Sequence, residues 1–429
     1  MLTLVVVFFA LLLLGVPILA ALGLSAAVTM LASGIPLEEF AHSAYAGLDN
    51  FTLLAIPLFL LAGEIMAKGG ITARLTRFVT MLVGRLPGGL GVSAVGATML
   101  FSGISGSVNA DAAAIGSVMM PPMFRAGYRR PWAAAIVAAA AGTGILIPPS
   151  ITMIVLGTVA NLSIKALFLA SLLPASLIGL GKACVIVFKA RSGSEPTKEH
   201  IAFTAGEFRK AFLDALPALV APALIVGGIL SGIFTATEAA AVAVLYAAVL
   251  SIGIYRELDL ATLADSIVAT ARLTGVVVAL VAIASTVAYV IAYEQFSQPL
   301  AVWAGSLSHN YLLFVTLLML LFWLLGALMD GIPALVILVP LFLPIAVGAG
   351  MNSLHFAIFA LAVFGISLVT PPLGTACFVV CAIARCNIRS LVRPMAPFMA
   401  IMFATILLLS YVPWFSLGLP RLLGGYAGK

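Results

Sequence analysis

The sequence FSGISGSVNADAAAIGSVMMPP occupies residues 101–122, in a chain that is otherwise almost entirely hydrophobic. Most residues from Phe101 to Asp111 are Ser, Gly, Asn or Asp, and an apolar pattern resumes at Ala112. In a lipid bilayer, irregular backbone is tolerated only where it is buried in protein or lines a water-filled cavity. A polar interruption at membrane depth therefore predicts a binding site within this stretch.

The composition excludes a soluble globular protein. The 429 residues are 63% hydrophobic and 8% charged, with a mean hydropathy of +1.23, whereas soluble domains carry about 25% charged residues. The apolar runs are long and continuous rather than alternating. The chain is therefore predicted to be an all-α polytopic membrane protein, with one transmembrane domain over residues 1–429 and a lipid bilayer around it.

The net charge of +6 does not predict an acidic partner such as nucleic acid. Lys and Arg concentrate in predicted loops, where membrane topology accounts for them. The sequence contains no nucleotide-binding GxxxxGK[ST] pattern and no HExxH or GxSxG pattern, so neither ATP coupling nor an enzyme is expected. Disulfides and transition-metal sites are also not expected, because CxxC spacing does not occur among Cys184, Cys377, Cys381 and Cys386.

The charges of the loops predict which side of the membrane each one faces. Residues 33–50 contain three acidic residues and no Lys or Arg, which indicates the outer side. Residues 68–85 contain four basic residues and are interpreted as an interfacial helix on the cytoplasmic side. Basic residues also follow the focal stretch at 125–130. A segment that enters and leaves on one face is a re-entrant hairpin, with its tip at Ser105–Asp111.

A proline pair predicts the next interruption. Pro148-Pro149 lies inside the apolar segment 132–164. Proline has no N–H to donate and disfavours helical backbone at the residue before it, so we predict a helix that is broken at this pair. A return span to about Phe188 then leads to the longest polar segment, residues 189–210, which is predicted to be a cytoplasmic loop.

The second half of the chain repeats these events. A second interrupted apolar segment covers residues 312–348, with Asp330-Gly331 at the interruption. Its flanks at 306–310 and 352–355 contain no Lys or Arg, so this hairpin is expected to enter from outside. Pro371-Pro372 breaks the span that follows. The remaining predicted elements are spans at 212–231, 236–254, 273–292 and 395–414 and an interfacial stretch at 256–272.

Matching distances relate the two halves. Pro122 precedes Pro148 by 26 residues, and Pro344 precedes Pro371 by 27. Because the flanking charges place the two hairpins on opposite faces, we interpret the halves as an inverted repeat. Interrupted segments in corresponding positions of such repeats are the best sequence indication of a transporter's central site. The predicted repeats cover about residues 1–190 and 212–415.

Two hairpin tips and two Pro-Pro broken helices that meet at one place offer several helix ends. Helix N-termini attract anions, whereas unwound carbonyls and helix C-termini suit Na⁺. We therefore expect an anionic substrate and Na⁺ to bind at the tips, the Na⁺ mostly through backbone carbonyls. The candidates in the first hairpin and broken helix are Ser105, Gly106, Ser107, Asn109, Asp111, Thr143, Gly144 and Pro148. The candidates in the second are Gly326, Asp330, Gly331, Gly365, Thr370, Gly374 and Thr375.

Structural roles compete with binding for some polar residues. Asp111 and Asp330 each begin an apolar helical run and could be helix N-caps. Glu238 fits the capping box Thr235-x-x-Glu238 and is interpreted as structural. No proton relay is evident, because all four histidines are expected in loops: His42, His200, His309 and His355.

Five segments resemble the large membrane subunit of tripartite ATP-independent periplasmic (TRAP) transporters: FSGISGSVNADAAAIGSVMMPPM, GILIPPSITMIVLG, FTATEAAAVAVLYA, GALMDGIPALVILVPLFLP and LVTPPLGT. The resemblance covers nearly the whole chain. It implies a Na⁺-coupled importer of an organic acid, such as a C4-dicarboxylate, a sugar acid or sialic acid, whose hairpin domain moves as an elevator. It also implies a small four-helix membrane subunit and a periplasmic substrate-binding protein as partners, and the bacterial inner membrane as the location.

The resemblance leaves alternatives open. Some dicarboxylate members have Gly-Pro-Ala after the Ser-Gly-Ser, where this chain has Val108-Asn109-Ala110-Asp111, so the substrate subclass is undecided. A stand-alone Na⁺/dicarboxylate carrier with the same two-hairpin plan would need no binding protein. A channel belongs to a different class, and broken helices paired across an inverted repeat favour alternating access over a static pore.

Overall fold

The computed structural model describes residues 2–193, 204–295, 311–329, 331–423 and 426, and every regular element in these ranges is helical. Among these residues, nine helical segments are long and apolar enough to cross a membrane. The helices are α1 Leu2–Leu13, α2 Ile18–Ala32, α3 Glu38–Leu48, α4 Ala55–Lys68, α5 Ile71–Val83, α6 Gly89–Ser105, α7 Val108–Arg125, α8 Arg130–Ala141, α9 Ile151–Val159, α10 Ile164–Arg191, α11 Ala205–Ser231, α12 Ala236–Ala248, α13 Leu260–Tyr293, α14 Tyr311–Leu328, α15 Gly331–Gly348, α16 Ser353–Ser367, α17 Thr375–Ala384, α18 Ile388–Tyr411 and α19 Trp414–Leu423.

Helix α13 organises one part of the molecule, and its length corrects the sequence prediction. Residues 256–272 and 273–292 were expected to be separate, but Leu260–Tyr293 is one continuous helix of 34 residues. Its start is fixed by Asp259, whose carboxylate accepts a hydrogen bond of 2.8 Å from the Thr262 backbone N–H. The chain contains no proline between this cap and Tyr293 to interrupt the helix. Helix α13 packs against α2, α3 and α4.

The prediction of an outer loop at residues 33–50 is wrong in one respect, because Glu38–Leu48 is helical. Glu38 and Glu39 lie in its first turn, where negative charge is favourable near the helix N-terminus. The helix lies along α13, and Gly47 faces Ser285 so closely that a Cβ at residue 47 would overlap the serine side chain. A polar segment in this position is therefore a packed element rather than a free loop.

Two helical hairpins have the positions that the sequence predicts, but the first tip is narrower than expected. Helices α6 and α7 pack against each other and are joined by Gly106 and Ser107 alone. Ser107 is the N-cap of α7 and accepts from the Ala110 backbone N–H. Asp111 therefore lies inside the first turn of α7 and is not the cap. Helices α14 and α15 form the second pair in contact, and Asp330 between them lies outside the described residues. The face from which each hairpin enters the membrane stays a prediction.

The chain leaves helical geometry around both proline pairs. Between α8 and α9 it contains a short 3₁₀ turn at Gly144–Leu146 and then Pro148-Pro149. Between α16 and α17 it contains residues 368–374, with Pro371-Pro372. Proline cannot donate a backbone hydrogen bond, which accounts for the loss of helix at both places.

Helices α8 and α16, which precede the two interruptions, approach each other most closely at one glycine from each side. A Cβ at Gly142 would lie 2.6 Å from the Gly365 carbonyl oxygen, and a Cβ at Gly365 would lie still closer to the Gly142 carbonyl oxygen. Gly142 and Gly365 are 223 residues apart, the same separation as Pro148 and Pro371. Equivalent positions of the two halves are therefore in contact at the point where both helices end.

Several local predictions have definite outcomes. The capping box is confirmed, because Thr235 accepts from the Glu238 backbone N–H and the Glu238 carboxylate accepts from the Thr235 backbone N–H at 2.8 Å.

The loop predicted at 189–210 is too long at both ends, since α10 extends to Arg191 and α11 begins at Ala205. Residues 194–203 and 306–310 lie outside the described residues. Helix α19 was not anticipated.

The expectation that all histidines lie in loops is wrong for two of them. His42 lies in α3, and His355 lies in α16 with 1% of its surface exposed. The His355 ring contacts α19, with 2.6 Å between Nδ1 and Ser416 Oγ. An imidazole can be buried when both of its nitrogens find partners, and here Nε2 lies 3.4 Å from the Ser410 carbonyl oxygen. His200 and His309 lie outside the described residues.

The glycine crossing leads to a stability prediction. Gly365→Ala places a methyl group against the Gly142 carbonyl oxygen, and overpacking of this kind costs about 1–3 kcal/mol. We expect a lower melting temperature for the purified protein in detergent, measured by thermal unfolding. The control is Gly275→Ala in α13, where nothing lies within 4 Å of the added methyl group, and where replacement of a helical glycine stabilises by about 0.5–1 kcal/mol. Equal melting temperatures for the two variants would contradict the crossing.

Candidate substrate and cation site

Both hairpins and both interruptions border one small cavity of about 80 Å³. The first hairpin contributes Gly106–Asn109, and the second contributes Gly331 and Ile332. Ile145 and Leu368 come from the interruptions of the two broken helices. The remaining lining residues are Ile151 and Thr152 at the start of α9, Leu60 of α4, and Leu273 and Val277 of α13. The cavity thus lies between the hairpins and the two helices that flank them.

The first hairpin tip is packed directly against the first interruption. Gly106 has a positive φ of 59°, a left-handed conformation that glycine adopts without strain. A Cβ at Gly106 would lie 2.7 Å from the Ile151 backbone nitrogen, at the start of α9. A Cβ at Gly103 would lie 3.0 Å from the Pro148 carbonyl oxygen. Gly103 and Gly106 therefore allow the backbone of the first tip to approach the backbone of the first interruption. Pro148, a predicted site residue, takes part through its carbonyl oxygen, which lies beside Gly103.

Asp111 is fully buried behind the tip, within a group of hydroxyls. Its two carboxylate oxygens accept hydrogen bonds from Ser102 Oγ and Ser105 Oγ. Gly144 of the first interruption lies against the same carboxylate, so close that a Cβ there would overlap Asp111 Oδ2. Two of the predicted site residues, Ser105 and Gly144, therefore both contact a third, Asp111. Their oxygens are the hard ligands that Na⁺ takes.

A buried cation lies on the other side of the same interruption, and the sequence analysis did not identify it. Lys182, in the middle of α10, has no exposed surface and donates hydrogen bonds to the Ala139 carbonyl oxygen and to Thr143 Oγ1. Ala139 is one of the last four residues of α8, whose carbonyls lack helical partners and carry the negative end of the helix dipole. The ammonium thus occupies a place that suits a cation. Thr143, a predicted substrate- or ion-binding residue, accepts a hydrogen bond from this lysine.

The sequence does contain a signal for Lys182. It is the only charged residue in the apolar stretch IKALFLASLLPASLIGLGKACVIVFKAR between Lys165 and Lys189. An ionisable residue within a membrane-spanning segment is by default a candidate functional residue. Asp111 contacts Gly144 and Lys182 contacts Thr143, so two ionisable side chains flank consecutive residues. The non-helical backbone of the first interruption therefore separates a buried carboxyl group from a buried amino group.

Ser150 is a second residue that the sequence analysis missed. It precedes α9, has no exposed surface, and its Oγ has no hydrogen-bond partner among the described residues. Its Cα would lie 3.2 Å from a Cβ at Gly106, so it borders the first hairpin tip. A buried hydroxyl without a protein partner costs free energy, and beside a binding site it is free to act as a ligand. Ser150 is accordingly a candidate ligand for a cation at the first tip.

The first hairpin also contacts the second interruption. Asn109 Oδ1 accepts a hydrogen bond of 3.1 Å from Thr375 Oγ1, at the start of α17. Next to it, Gly374 is the N-cap of α17, and a Cβ there would lie 2.5 Å from the Leu368 carbonyl oxygen. Two predicted site residues from different halves are therefore joined by one bond, directly beside the cavity.

The other predicted residues of the second half are placed differently. Thr370 Oγ1 donates to the Ile366 carbonyl oxygen at 2.8 Å and accepts from Trp323 Nε1 at 3.0 Å. Gly326 packs against Phe364, where a Cβ would lie 2.5 Å from the ring. Gly365 forms the crossing with Gly142. These three lie in helix contacts rather than along the cavity wall.

The two buried groups lead to a coupling prediction. Asp111→Asn and Lys182→Met each disturb a buried hydrogen-bonded group, the first beside Gly144 and the second beside Thr143, and such a change is destabilising. We expect the double variant to be less destabilised than the sum of the single variants, by about 1–2 kcal/mol, because the two groups contact adjacent residues. Thermal unfolding of the four purified proteins measures this coupling energy.

The matched control for this cycle uses the same helix and the same residue type. Lys165→Met lies in the first turn of α10 and is partly exposed. Its effect should add to that of Asp111→Asn without coupling. Additive effects for Lys182→Met as well would show that the two buried groups do not interact.

Similarity to known proteins extends over nearly the whole chain. The family model described as "Tripartite ATP-independent periplasmic transporter, DctM component" matches residues 5–415. The C4-dicarboxylate TRAP transporter large permease protein DctM of Pseudomonas aeruginosa is 36% identical over 404 residues, covering 94% of each chain. The isethionate TRAP transporter permease protein DctMQ of Oleidesulfovibrio alaskensis is 35% identical over 410 residues, which are 95% of this chain and 64% of that longer protein.

The fold is also found in a solved structure. The YdaH transporter of Alcanivorax borkumensis superposes with a TM-score of 0.65 and 17% sequence identity, over 89% of each chain. At this identity the likeness concerns the fold alone. The arrangement of helices seen here is thus that of a known transporter structure.

Proposed function

Because the chain belongs to the DctM family, the large permease subunits of tripartite ATP-independent periplasmic transporters, we propose that it imports an organic acid across the bacterial inner membrane together with Na⁺. The observation that carries this proposal is the meeting of both hairpins and both interruptions around one cavity. A site of this construction is typical of secondary transporters, in which broken helices bind the substrate and the coupling ion near the midplane.

The cavity wall suits a carboxylate that is held by neutral groups. Its polar residues are Ser107, Asn109 and Thr152, and the described residues that line it include no Lys or Arg. Helix α7 begins at the cavity with Val108, and its N-terminal amides and dipole favour an anion. The substrate class is therefore an organic acid such as a C4-dicarboxylate, sugar acid or sialic acid. The Pseudomonas relative named for C4-dicarboxylates supports this class.

The oxygens around the first tip support Na⁺ as the coupling ion. The Asp111 carboxylate and the hydroxyls of Ser102 and Ser105 form one group, and the unpartnered Ser150 hydroxyl borders the tip. Na⁺ loses its hydration shell in such a site, and protein oxygens replace it. Ser107 and Asn109 lie at the tip itself and connect the cation group to the substrate cavity.

The size of the cavity supports a moving domain. Sites for small ligands usually measure about 300–1,000 Å³, so a cavity of 80 Å³ has to open before an organic acid can enter. Two larger cavities, of about 660 and 620 Å³, lie beside Asn50 and Asn161 at the end of the molecule that is predicted to be periplasmic. We propose that the hairpins and broken helices move as an elevator against α4 and α13, which opens the small cavity to each side in turn.

Two partners complete the proposed transporter. The tripartite family description and the longer DctMQ relative support a small membrane subunit beside this chain. A periplasmic binding protein would deliver the substrate to the predicted outer face, where Glu39, His42 and Asp49 line the larger cavity. With both partners the chain would carry out secondary import without nucleotide.

Reconstituted uptake tests this function. Proteoliposomes that contain this chain and the small subunit should accumulate a labelled organic acid only with the cognate binding protein outside and a Na⁺ gradient directed inward. Replacement of external Na⁺ by choline should abolish uptake, because choline cannot replace Na⁺ among the tip oxygens. Undiminished uptake in choline would reject Na⁺ coupling. Na⁺-dependent uptake without the binding protein would favour the stand-alone carrier instead.

Ser150 provides the sharper test of the cation site. Its hydroxyl has no protein partner among the described residues, so Ser150→Ala breaks no hydrogen bond and should leave the melting temperature unchanged or slightly higher. If Ser150 binds Na⁺, the Na⁺ concentration at half-maximal uptake should rise severalfold. Asn109→Ala and Ser107→Ala should also weaken Na⁺ dependence.

The control for Ser150 is Ser117→Ala on the exposed side of α7, where Ser117 Oγ donates to the Ala114 carbonyl oxygen at 2.8 Å. This variant should keep the wild-type dependence of uptake on Na⁺. An unchanged half-saturation in Ser150→Ala, with normal expression, would remove Ser150 from the cation site.

A further inference from the structure

Two cavities of ligand size lie side by side at the end of the molecule that is predicted to be periplasmic, and their linings differ in charge. They share three lining residues, Asn50, Thr158 and Asn161. The larger one, of about 660 Å³, is lined by Glu39 and Asp49, and the described residues around it include no Lys or Arg. The smaller one, of about 620 Å³, is lined by Lys165, and no Asp or Glu is among its described lining residues. An anionic molecule should therefore prefer the smaller cavity.

Three connections of the chain form this smaller cavity, which we call the Lys165 cavity. They are the segment before α4, the turn between α9 and α10, and the turn between α11 and α12. Thr237 Oγ1 donates to the Phe51 carbonyl oxygen at 3.3 Å and so joins the first of them to the third. The volume of the cavity falls within the range of about 300–1,000 Å³ that is usual for small ligands. An organic acid therefore fits without any rearrangement.

The charge of Lys165 is available to a ligand. Its side chain is partly exposed, and its ammonium makes neither a hydrogen bond nor an ion pair with any residue that the structure describes. The carboxylate of Glu238, which follows the third connection, accepts from the backbone N–H and the hydroxyl of Thr235. Glu238 is thus engaged in its capping box and does not line the cavity.

Two general rules disfavour a lysine at this position. Lys165 lies in the first turn of α10, directly after the N-cap Ser163, where the helix dipole opposes positive charge and no acidic residue is present to balance it. It also lies at the predicted outer face, whereas Lys and Arg prefer the cytoplasmic side of a membrane protein. Neither helix stability nor membrane topology accounts for this lysine. Residues that break such rules without compensation are expected at functional sites.

Helix α9 connects the Lys165 cavity to the closed cavity between the hairpin tips. Thr152, at the start of the helix, lines the closed cavity, and Thr158, near its end, lines the Lys165 cavity. Six residues of α-helix span about 9 Å along the helix axis. A molecule held at Lys165 is therefore separated from the closed cavity by less than the length of this one helix.

We propose that the Lys165 cavity is an entry site, in which the Lys165 ammonium binds a carboxylate of the substrate before the closed cavity opens. This inference rests on the proposed function, since its ligand is the imported organic acid. A charge-assisted contact to a carboxylate supplies the attraction, and the exposure of the lysine keeps that attraction weak enough for the acid to move on. The closed cavity, whose described polar residues are neutral, then receives an acid that is already close to it.

Amine labelling of the purified full-length chain tests the entry site without a binding protein. The rate at which N-hydroxysuccinimide acetate acetylates each lysine is measured by peptide mass spectrometry. Succinate, gluconate and N-acetylneuraminate are the probes, one for each proposed class of acid. At least one of them should slow acetylation of Lys165 severalfold, because the bound carboxylate shields the amine. The exposed Lys210 of α11 should react at an unchanged rate, and succinamide, the uncharged counterpart of succinate, should protect neither lysine. Equal acetylation of Lys165 with and without all three acids would overturn the entry site.

Reconstituted uptake gives the second measurement. At a low concentration of loaded binding protein, Lys165→Gln should reduce the initial rate of uptake at least threefold, with the wild-type half-saturation for Na⁺. Lys165→Arg keeps the charge and should retain most of the rate. The control is Arg421→Gln in the last turn of α19, an exposed position that follows the last predicted span on the same face. It makes the same change of charge and should transport like the wild type.

The outcomes separate this inference from the function on which it rests. Normal uptake by Lys165→Gln would overturn the entry site alone. Reduced uptake by this variant, without protection of the wild-type lysine by any acid, would assign Lys165 to a contact with the binding protein and would also overturn the entry site. A wild-type protein that imports no organic acid would reject the proposed function itself.

Discussion

Backbone polar groups that leave a helix inside a membrane protein need new partners, and this requirement shapes the centre of the molecule. At the first interruption, the Ala139 carbonyl oxygen accepts from Lys182 rather than from a backbone amide. At the second, the Leu368 carbonyl oxygen accepts from the Ala376 N–H at 3.2 Å, and the Thr370 carbonyl oxygen accepts from the Gly374 N–H at 2.8 Å. These carbonyls thus find partners by different means at the two interruptions, from a distant lysine at the first and from nearby backbone amides at the second.

The side chains around the two interruptions also differ in chemical type. The first interruption is bordered by a carboxylate, an ammonium and several hydroxyls, all of them buried. The second is bordered by Trp323, Met399 and Cys377, whose Sγ donates to the Val369 carbonyl oxygen at 3.2 Å. Among the residues that the structure describes, ionisable side chains are therefore concentrated at the first interruption, although the backbone plan of the two halves is similar.

Much of the fold could be predicted because proline, glycine and loop charge act locally. Gly15-Val16-Pro17 separates α1 from α2, and both Pro-Pro pairs fall where helices end. The errors have the opposite character, since they depend on tertiary contacts. Helix α3 is stabilised by α13, and His355 is buried because α19 folds back onto it. Local residue patterns contain no information about either neighbour.

The candidate site was predictable in its backbone and less so in its side chains. Gly106, Ser107 and Asn109 lie at the cavity because the hairpin has to turn where helix formers are absent. Lys182 and Ser150 were missed because each is separated in sequence from the residues that it approaches. Lys182 meets Thr143 across 39 residues, and only the packing of α10 on the first interruption brings them together. A lone lysine in an apolar stretch was nevertheless a visible signal.

The contact between Gly142 and Gly365 has a consequence for how such a sequence can evolve. Duplicated halves normally diverge freely, since a change in one copy leaves the other unaffected. Here each glycine leaves room for the carbonyl oxygen of the other, so a side chain gained by either half disturbs both. Independent drift at these two positions is therefore blocked. The two glycines should therefore be retained together, even as the chemistry around them becomes different in the two halves.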